Sequence, residues 1–178
     1  MEQLEIEGAK IVFRNFAGQG TPYNREGSRN FSVVIPNKET AIAYYNAGWN
    51  VSVKGSTPED KEALRMGKNF MEKIAILNQR GTDNDALYHL KCNVNLESKS
   101  PAQIFLIAGK NRKPIPMNKD TIAQIDVMDI SYCDIVIRPY HWATPTGEGI
   151  TAYLKTMYVV INEDPFAAKY AAYDEYED

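Results

Sequence analysis

The sequence has few of the residues that metal sites and disulfide frameworks use. Its 178 residues include two cysteines, Cys92 and Cys133, and two histidines, His89 and His141. Neither cysteine lies in a CxxC or Cys/His spacing and both stand in apolar, strand-like runs, so we expect reduced, buried thiols. The histidines show no HExxH-like spacing, which argues against a histidine-based metal site. We therefore predict neither a metal nor a cofactor.

Motifs of common enzyme classes are also missing. There is no P-loop, no GxGxxG and no GxSxG motif. A two-metal nuclease could use three nearby acids, Asp126, Asp129 and Asp134. Acids in such a group more often have a structural role at helix ends and in turns. We predict a protein that is not an enzyme, with a metal-dependent nuclease as an alternative.

Long apolar runs are absent too. No run approaches the roughly 18 apolar residues that a membrane-spanning helix needs. The N-terminal MEQLEIEGAK has neither the basic start nor the apolar middle of a signal peptide. The chain is 44% apolar and 24% charged, which is typical of a globular protein that folds alone. We expect a cytoplasmic protein without membrane contact.

Alternation of apolar and polar residues predicts a mainly β protein. The clearest strand is ALYHLKCNVNLE, in which one face carries Tyr88, Leu90, Cys92, Val94 and Leu96, and the other His89, Lys91, Asn93 and Asn95. Similar patterns predict strands over residues 10–16, 30–35, 50–54, 103–108, 134–142 and 150–161. Because these strands show no βαβ rhythm, we expect a closed or partly closed β barrel.

Short helices are predicted between the strands. Asn37 caps KETAIAYYNA before Gly48, and Asn118 or Asp120 caps TIAQIDVM. The segment 57–81 begins with a capping-box-like start and carries residues at helical spacing: Ala63, Gly67, Phe70, Ile74 and Leu77. We predict a helical insertion there, bent at Gly67, although IAIL is also compatible with a strand.

The segment FRNFAGQGTPYNREGSRNF combines arginines and aromatic residues with glycines. If the flanking strands are neighbours, it forms a long hairpin, and such loops are often functional. We predict nucleic-acid contacts from five residues of this segment, Arg14, Phe16, Tyr23, Arg25 and Arg29. Phe13 and Phe31 are assigned to the core. A mobile surface loop with solvated arginines is the alternative.

A second cluster lies in DIVIRPYHWATPTGEGITAYLKTMYVVI. Alternation places Arg138, Tyr140 and Trp142 on one strand face, and Tyr153 and Lys155 on a face of the next strand. Bases stack on aromatic rings for about 1–3 kcal/mol each while cations follow the phosphates. We therefore predict a platform for single-stranded nucleic acid, and we add Lys54 to the candidate contacts. Alternatively these aromatic residues belong to the core, as we expect for Trp49.

The C-terminal segment is strongly acidic. Residues 163–178 hold six acids and one lysine, a net charge of −5, whereas the rest of the chain sums to +2. We predict a tail that contacts partner proteins or the empty binding groove through its alternating acids and rings: Tyr173, Asp174, Glu175, Tyr176, Glu177 and Asp178. A solubilising, disordered end is the alternative.

Several segments resemble a family of small bacteriophage proteins, some of which are single-stranded DNA-binding proteins with an OB-fold. The resemblance lies in FRNFAG, YNREGSRNFSVVI, AGWNV, IRPYHW and GITAYLKTMYVVINEDPFAAKY. It implies an OB-fold-like barrel over residues 1–164, followed by the tail at 165–178. It also implies binding of single-stranded DNA during phage replication or recombination, in the host cytoplasm. OB-folds bind through the face of strands 2 and 3 and two flanking loops.

Other interpretations stay open. The helical insertion at 57–81 is not a regular part of this family, so it is a candidate for a wider site, a partner contact or self-association. Phage or host replication proteins are candidate partners of the tail. The exposed aromatic residues would also suit a phage protein-interaction or assembly module, because tyrosine, tryptophan and arginine are favoured at protein interfaces.

Overall fold

A computed structural model describes residues 2–109 and 112–162. The strands are β1 (Leu4–Ala9), β2 (Ile11–Asn15), β3 (Arg29–Ile35), β4 (Val51–Lys54), β5 (Leu87–Val94), β6 (Gln103–Ile107), β7 (Ile115–Met117), β8 (Ile130–Thr144) and β9 (Gly147–Ile161). The helices are α1 (Lys38–Asn46), α2 (Pro58–Ala63) and α3 (Phe70–Arg80), with 3₁₀ segments at Leu64–Met66 and Ile122–Val127. The predicted acidic tail lies outside the described residues. Among the described residues, no helix has the length and apolar character needed to cross a membrane.

The strands form one sheet in which the first and last strands of the main path, β1 and β2, are consecutive in the chain. The main path runs β1, β8, β9, β5, β3, β2. β1 and β2 are consecutive parts of one bent strand, joined at Lys10, whose carbonyl accepts a hydrogen bond from the Val34 amide at 2.9 Å. Five strands thus follow one another around a partly open barrel, with a parallel contact between β5 and β9. This is the arrangement of an OB-fold, and the predicted mainly β, OB-fold-like class is confirmed.

Period-two alternation determines which side chains form the barrel core. On β5 the inward face carries Tyr88, Leu90, Cys92 and Val94, and all four are buried as predicted. Cys92 and Cys133 are free, buried thiols, and burial raises the pKa of Cys133 to about 12. Both cysteines therefore pack as small apolar residues.

The helical insertion between β4 and β5 begins and ends where the sequence predicts. The Thr57 side chain accepts a hydrogen bond from the Asp60 amide at 3.1 Å, and the chain leaves the helical path at Gly67. Asn69 then caps α3, which buries Phe70, Ile74 and Leu77 and ends at Gly81 in the left-handed region. The IAIL segment therefore belongs to a helix, and the insertion is two helices rather than one.

An ion pair with a buried carboxylate ties the two helices of the insertion together. Asp60 is 1% exposed, and its Oδ1 accepts a hydrogen bond from Nε of Arg80 at 2.6 Å. The hydrogen bond from Arg80 holds the pKa of Asp60 below its ordinary value despite burial. The two helices are thus fixed relative to each other.

Three local predictions differ from the structure. The strands β1 and β7 were not predicted, because β1 mixes two glutamates with a glycine and β7 is the three-residue IPM with a central proline. Neither Asn118 nor Asp120 caps a helix as predicted. The segment is a 3₁₀ helix that begins at Ile122, and its N-terminal amides bond to the Asn118 carbonyl instead.

Candidate nucleic-acid interface

The loop between β2 and β3 is the first predicted contact region. β2 and β3 are antiparallel neighbours, so residues 16–28 form the predicted hairpin loop. The Asn24 side chain holds the loop together by donating to the Gln19 carbonyl at 2.8 Å and the Ser28 carbonyl at 2.9 Å. Tyr23 is 96% exposed at its tip, and Arg25 is also exposed. The loop therefore presents one ring and one cation to solvent.

Two of the predicted arginines serve the fold instead. Nη1 of Arg14 donates to the carbonyls of Ile125 and Met128, at 2.8 and 2.7 Å. Nη1 of Arg29 donates to the carbonyl of Phe16. Both guanidinium groups are partly buried: Arg14 ties β2 to the 3₁₀ segment before β8, and Arg29 ties the two ends of the loop together. The structure therefore does not support their assignment as phosphate contacts.

The assignments of Phe13 and Phe16 are reversed in the structure. Phe16 is fully buried and its ring stacks on Phe31 with 5.1 Å between centroids, so its prediction as a nucleic-acid contact is wrong. Phe13, assigned to the core, is 47% exposed. Its φ of 52° lies at an irregularity in the pairing of β2 with β3. This irregularity changes the alternation, turning Phe13 outward and Phe16 inward.

Phe13 is part of a small cluster on the outside of the barrel. Its ring meets the His89 ring edge-on at 5.1 Å, and Nζ of Lys54 lies 4.9 Å from the Phe13 centroid. Nδ1 of His89 is 3.1 Å from Oγ of Ser32, which fixes the imidazole. Burial of the imidazole lowers the pKa of His89, and the nearby positive charge of Lys54 lowers it further. The cluster thus offers a ring beside a cation, with a neutral imidazole at neutral pH.

The polar face of β5 extends this cluster across the sheet. His89, Lys91 and Asn93 alternate with buried residues and therefore point outward. Asn93 is directly opposite Tyr153 on β9. We call Phe13, Lys54, His89, Lys91 and Asn93 the outer strand face. Alternation in the sequence placed His89, Lys91 and Asn93 on one face, but only the barrel topology identifies this face as the outer face of the third barrel strand, which pairs with the second.

The β8–β9 hairpin carries the second predicted cluster. Arg138 is opposite Tyr153, and the Tyr140 and Tyr153 rings meet edge-on at 6.0 Å. Tyr140 is 58% exposed and Trp142 is 37% exposed. Arg138, Tyr140 and Trp142 thus lie on one face of β8, as the alternation predicts. We call Arg138, Tyr140, Trp142 and Tyr153 the hairpin platform.

Gly149 makes room for the indole of Trp142. The two residues are opposite each other, and a Cβ at Gly149 would lie 2.7 Å from Cζ2 of Trp142. Only glycine allows the ring to lie this close to the backbone of β9. The position of Trp142 on the platform therefore depends on glycine at position 149.

Lys155 lies at a bulge beside the platform. Val136 is opposite Thr156 and Ile137 is opposite Leu154, so Lys155 is the extra residue. Lys155 lines a cavity of about 580 Å³ with Lys99 and Arg138, and its other lining residues are Gln3, Ser100, Pro101, Gln103 and Thr156. We call this cavity the anion pocket, because its three charged residues are all cations.

The helical insertion adds further cations beside Lys54. A cleft of about 250 Å³ is lined by Lys54, Lys61, Arg65 and Lys73, together with Val53, Gly55 and Leu64. Glu62 pairs with Arg65 at 3.3 Å on the exposed side of the insertion. The sequence indicated a helical insertion but not which of its faces meets the barrel, so these cations were not predicted.

The three acids of the nuclease alternative are separated by their structural roles. Asp126 accepts hydrogen bonds from the Phe16 and Ala17 amides, at 2.7 and 3.0 Å. Asp129 accepts from the Asn162 side chain, and Asp134 from the Gly8 amide. No group of three or more potential metal-ligating side chains occurs among residues 2–109 and 112–162. The arrangement of these acids gives the nuclease alternative no support.

Comparison with known families gives a match over the entire chain. The family model described as "Putative phage ssDNA-binding domain" matches residues 1–178. No curated protein sequence matches the chain.

Solved structures of phage proteins are similar at low sequence identity. The single-stranded DNA-binding protein from bacteriophage Enc34 in complex with ssDNA matches with a TM-score of 0.47 and 10% identity, covering 92% of this chain and 89% of that chain. Gp2.5, a single-stranded DNA-binding protein encoded by bacteriophage T7, matches with a TM-score of 0.35 and 13% identity, covering 96% of this chain and 93% of that chain.

Proposed function

Because the chain belongs to the phage ssDNA-binding domain family, we propose that it binds single-stranded DNA without strong sequence preference. It would protect the strand during phage DNA replication or recombination, in the cytoplasm of the host. The observation that carries this proposal is an outer surface that carries both exposed rings and cations, from Phe13 and Lys54 across β5 to the hairpin platform. Rings accept any base and cations follow the phosphates, so such a surface tolerates any sequence.

The proposed path begins at Phe13 and Lys54 and ends at the hairpin platform. It crosses Lys91 and Asn93 and reaches Tyr153 through the direct pairing of β5 with β9. The β2–β3 loop, with Tyr23 and Arg25, flanks this path. These elements correspond to the strand face and two loops through which OB-folds bind oligonucleotides.

Cations of the helical insertion extend the positive surface at the start of this path. Lys61, Arg65 and Lys73 line the same cleft as Lys54, whose ammonium group lies over the Phe13 ring. A phosphate next to a base stacked on Phe13 would thus meet several cations. The insertion would therefore strengthen binding in a salt-dependent manner.

The acidic tail would compete for the same surface. Residues 163–178 carry a net charge of −5 and three tyrosines, so they resemble a nucleic acid in charge and in rings. When DNA displaces the tail, the tail would become available to replication proteins of phage or host. Removing the tail after Tyr170 should strengthen DNA binding at low salt, and an unchanged affinity would count against this role.

Fluorescence anisotropy of a labelled poly-dT oligonucleotide tests the main proposal. The full chain should bind tightly at low salt and more weakly at moderate salt, with unlabelled duplex DNA competing poorly; unlabelled RNA measures the preference for DNA. Tyr140→Ala should weaken binding about 5- to 100-fold, the equivalent of one lost stacking contact. Val127→Ala, an exposed apolar residue on the 3₁₀ helix, is the matched control. Absence of binding at micromolar protein would refute the proposal and favour a protein-interaction module.

A further inference from the structure

We propose that the DNA track continues along β9 beyond the hairpin platform, to a second stacking site formed by Phe105 and Tyr158. The inference rests on the proposed function. It extends the track over β6, outside the strand face and the two loops that OB-folds generally use. It also predicts a longer DNA footprint than the hairpin platform and the outer strand face would give.

The first observation is the ring pair itself. Phe105 on β6 and Tyr158 on β9 are parallel neighbours, and their rings stack at 5.1 Å with 16° between their planes. Tyr158 is 37% exposed, as much as Trp142 on the hairpin platform. Its strand neighbours Met157 and Val159 are fully buried, so Tyr158 points outward from the barrel. The pair therefore presents an aromatic surface to solvent.

The second observation is the anion pocket between the two sets of rings. Along β9, Tyr153 belongs to the hairpin platform, Lys155 and Thr156 line the anion pocket, and Tyr158 belongs to the second ring pair. Because Lys155 is a bulge residue, the interval from Tyr153 to Tyr158 matches the four steps from Arg138 to Asp134 on β8, or roughly 13 Å at about 3.3 Å per residue. Lys99 and Arg138, which is opposite Tyr153, line the same pocket and add two further cations. The order of rings, cations and rings matches the alternation of bases and phosphates along a strand.

Acidic side chains define the other margin of this surface. Glu5 and Glu7 are exposed on β1, which pairs with β8. Asp134 on β8 is directly opposite Tyr158, and its Oδ1 is turned to β1, where it accepts a hydrogen bond from the Gly8 amide at 2.9 Å. A polyanion would be repelled from β1 and drawn to the side of Lys99, which precedes β6. Charge thus favours a nucleic acid that runs from the platform over β9 to β6.

Oligonucleotide length separates this second site from the main one. We suggest measuring anisotropy with dT oligonucleotides of about 4 and about 16 nucleotides, which bracket the site sizes of OB-folds. Tyr158→Ala should weaken binding of the long oligonucleotide about 5- to 100-fold and leave the short one unchanged. Tyr158→Phe keeps the ring and should bind both like the wild type. Lys99→Ala should weaken only the long oligonucleotide, with Lys10→Ala, an exposed lysine between β1 and β2, as the matched charge control.

The outcomes distinguish the inference from the function on which it rests. If the wild type binds neither oligonucleotide, the proposed function fails and the inference fails with it. If the wild type binds both and Tyr158→Ala binds both equally well, the function stands and the second site is refuted. Equal weakening for both lengths, or a Tyr158→Phe variant as weak as Tyr158→Ala, would also overturn the inference, because neither fits base stacking at a distal site.

Discussion

Replacement of Phe13 by glycine should reduce DNA binding while costing the fold little. Phe13 has a φ of 52°, which is unfavourable for any residue with a Cβ by about 1–2 kcal/mol. Glycine adopts this conformation readily. A strained aromatic residue that is 47% exposed is therefore explained better by binding than by stability.

The stability change follows from the contacts of the ring. Half-burial contributes about 1 kcal/mol, the edge-on contact with His89 about 0.5–1.5 kcal/mol, and the cation–π contact with Lys54 about 0.5–1 kcal/mol. Phe13→Gly loses these contacts but relieves the strain, so we expect a net loss of about 1 kcal/mol. Phe13→Ala loses the same contacts and keeps the strain. The glycine variant should therefore be the more stable of the two, the reverse of the usual order within strands.

Urea unfolding and anisotropy with poly-dT together test this prediction. Both variants should bind about 5- to 100-fold more weakly than the wild type, because each loses one stacking ring. A glycine variant less stable than the alanine variant would refute the claim of backbone strain. Wild-type affinity in either variant would remove Phe13 from the DNA path.

Three further predictions concern charged groups. Lys54→Ala should raise the pKa of His89 measured by NMR titration, because it removes a neighbouring cation; an unchanged pKa would contradict their proximity. The pKa of Asp60 is lowered in the folded state, so its contribution to stability is present above the ordinary carboxyl pKa of about 3.9 and is lost as pH falls through the folded value. Asp60→Asn should accordingly weaken the acid dependence of urea unfolding, and an unaltered pH profile would contradict this. Lys91→Ala should reduce the slope of log affinity against log salt by about 0.7 if it contacts one phosphate, whereas an unaltered slope would place Lys91 off the path.

The alternation of apolar and polar residues along strands, together with the capping residues of helices, made much of the fold predictable. The two faces of β5, the cap at Asn37 and the start of the insertion at Thr57 each depend on neighbouring residues in the chain. The hairpin platform was predictable for the same reason, since Arg138, Tyr140 and Trp142 alternate along a regular strand. The local pattern was sufficient wherever the strand pairing was regular.

Local patterns were insufficient where the backbone departs from regular geometry or where distant segments meet. The positive φ of Phe13 changes which rings of β2 are exposed, and nothing in FRNF indicates it. The roles of Arg14 and Arg29 depend on carbonyls brought close by the fold, and the acceptors of Arg14 lie more than 100 residues away. The sequence therefore indicated the position of the hairpin loop, whose part in DNA binding stays a prediction, but not the contacts of Arg14 and Arg29.

The two tryptophans allow the most direct test of the proposed DNA path. Trp49 is 4% exposed in the core, whereas Trp142 is 37% exposed on the hairpin platform. Poly-dT should quench the intrinsic fluorescence of the wild type and of Trp49→Phe, because bases stack on Trp142. The quenching should be lost in Trp142→Phe. Full quenching in Trp142→Phe, or none in the wild type despite tight binding, would contradict the proposal that single-stranded DNA lies across this face.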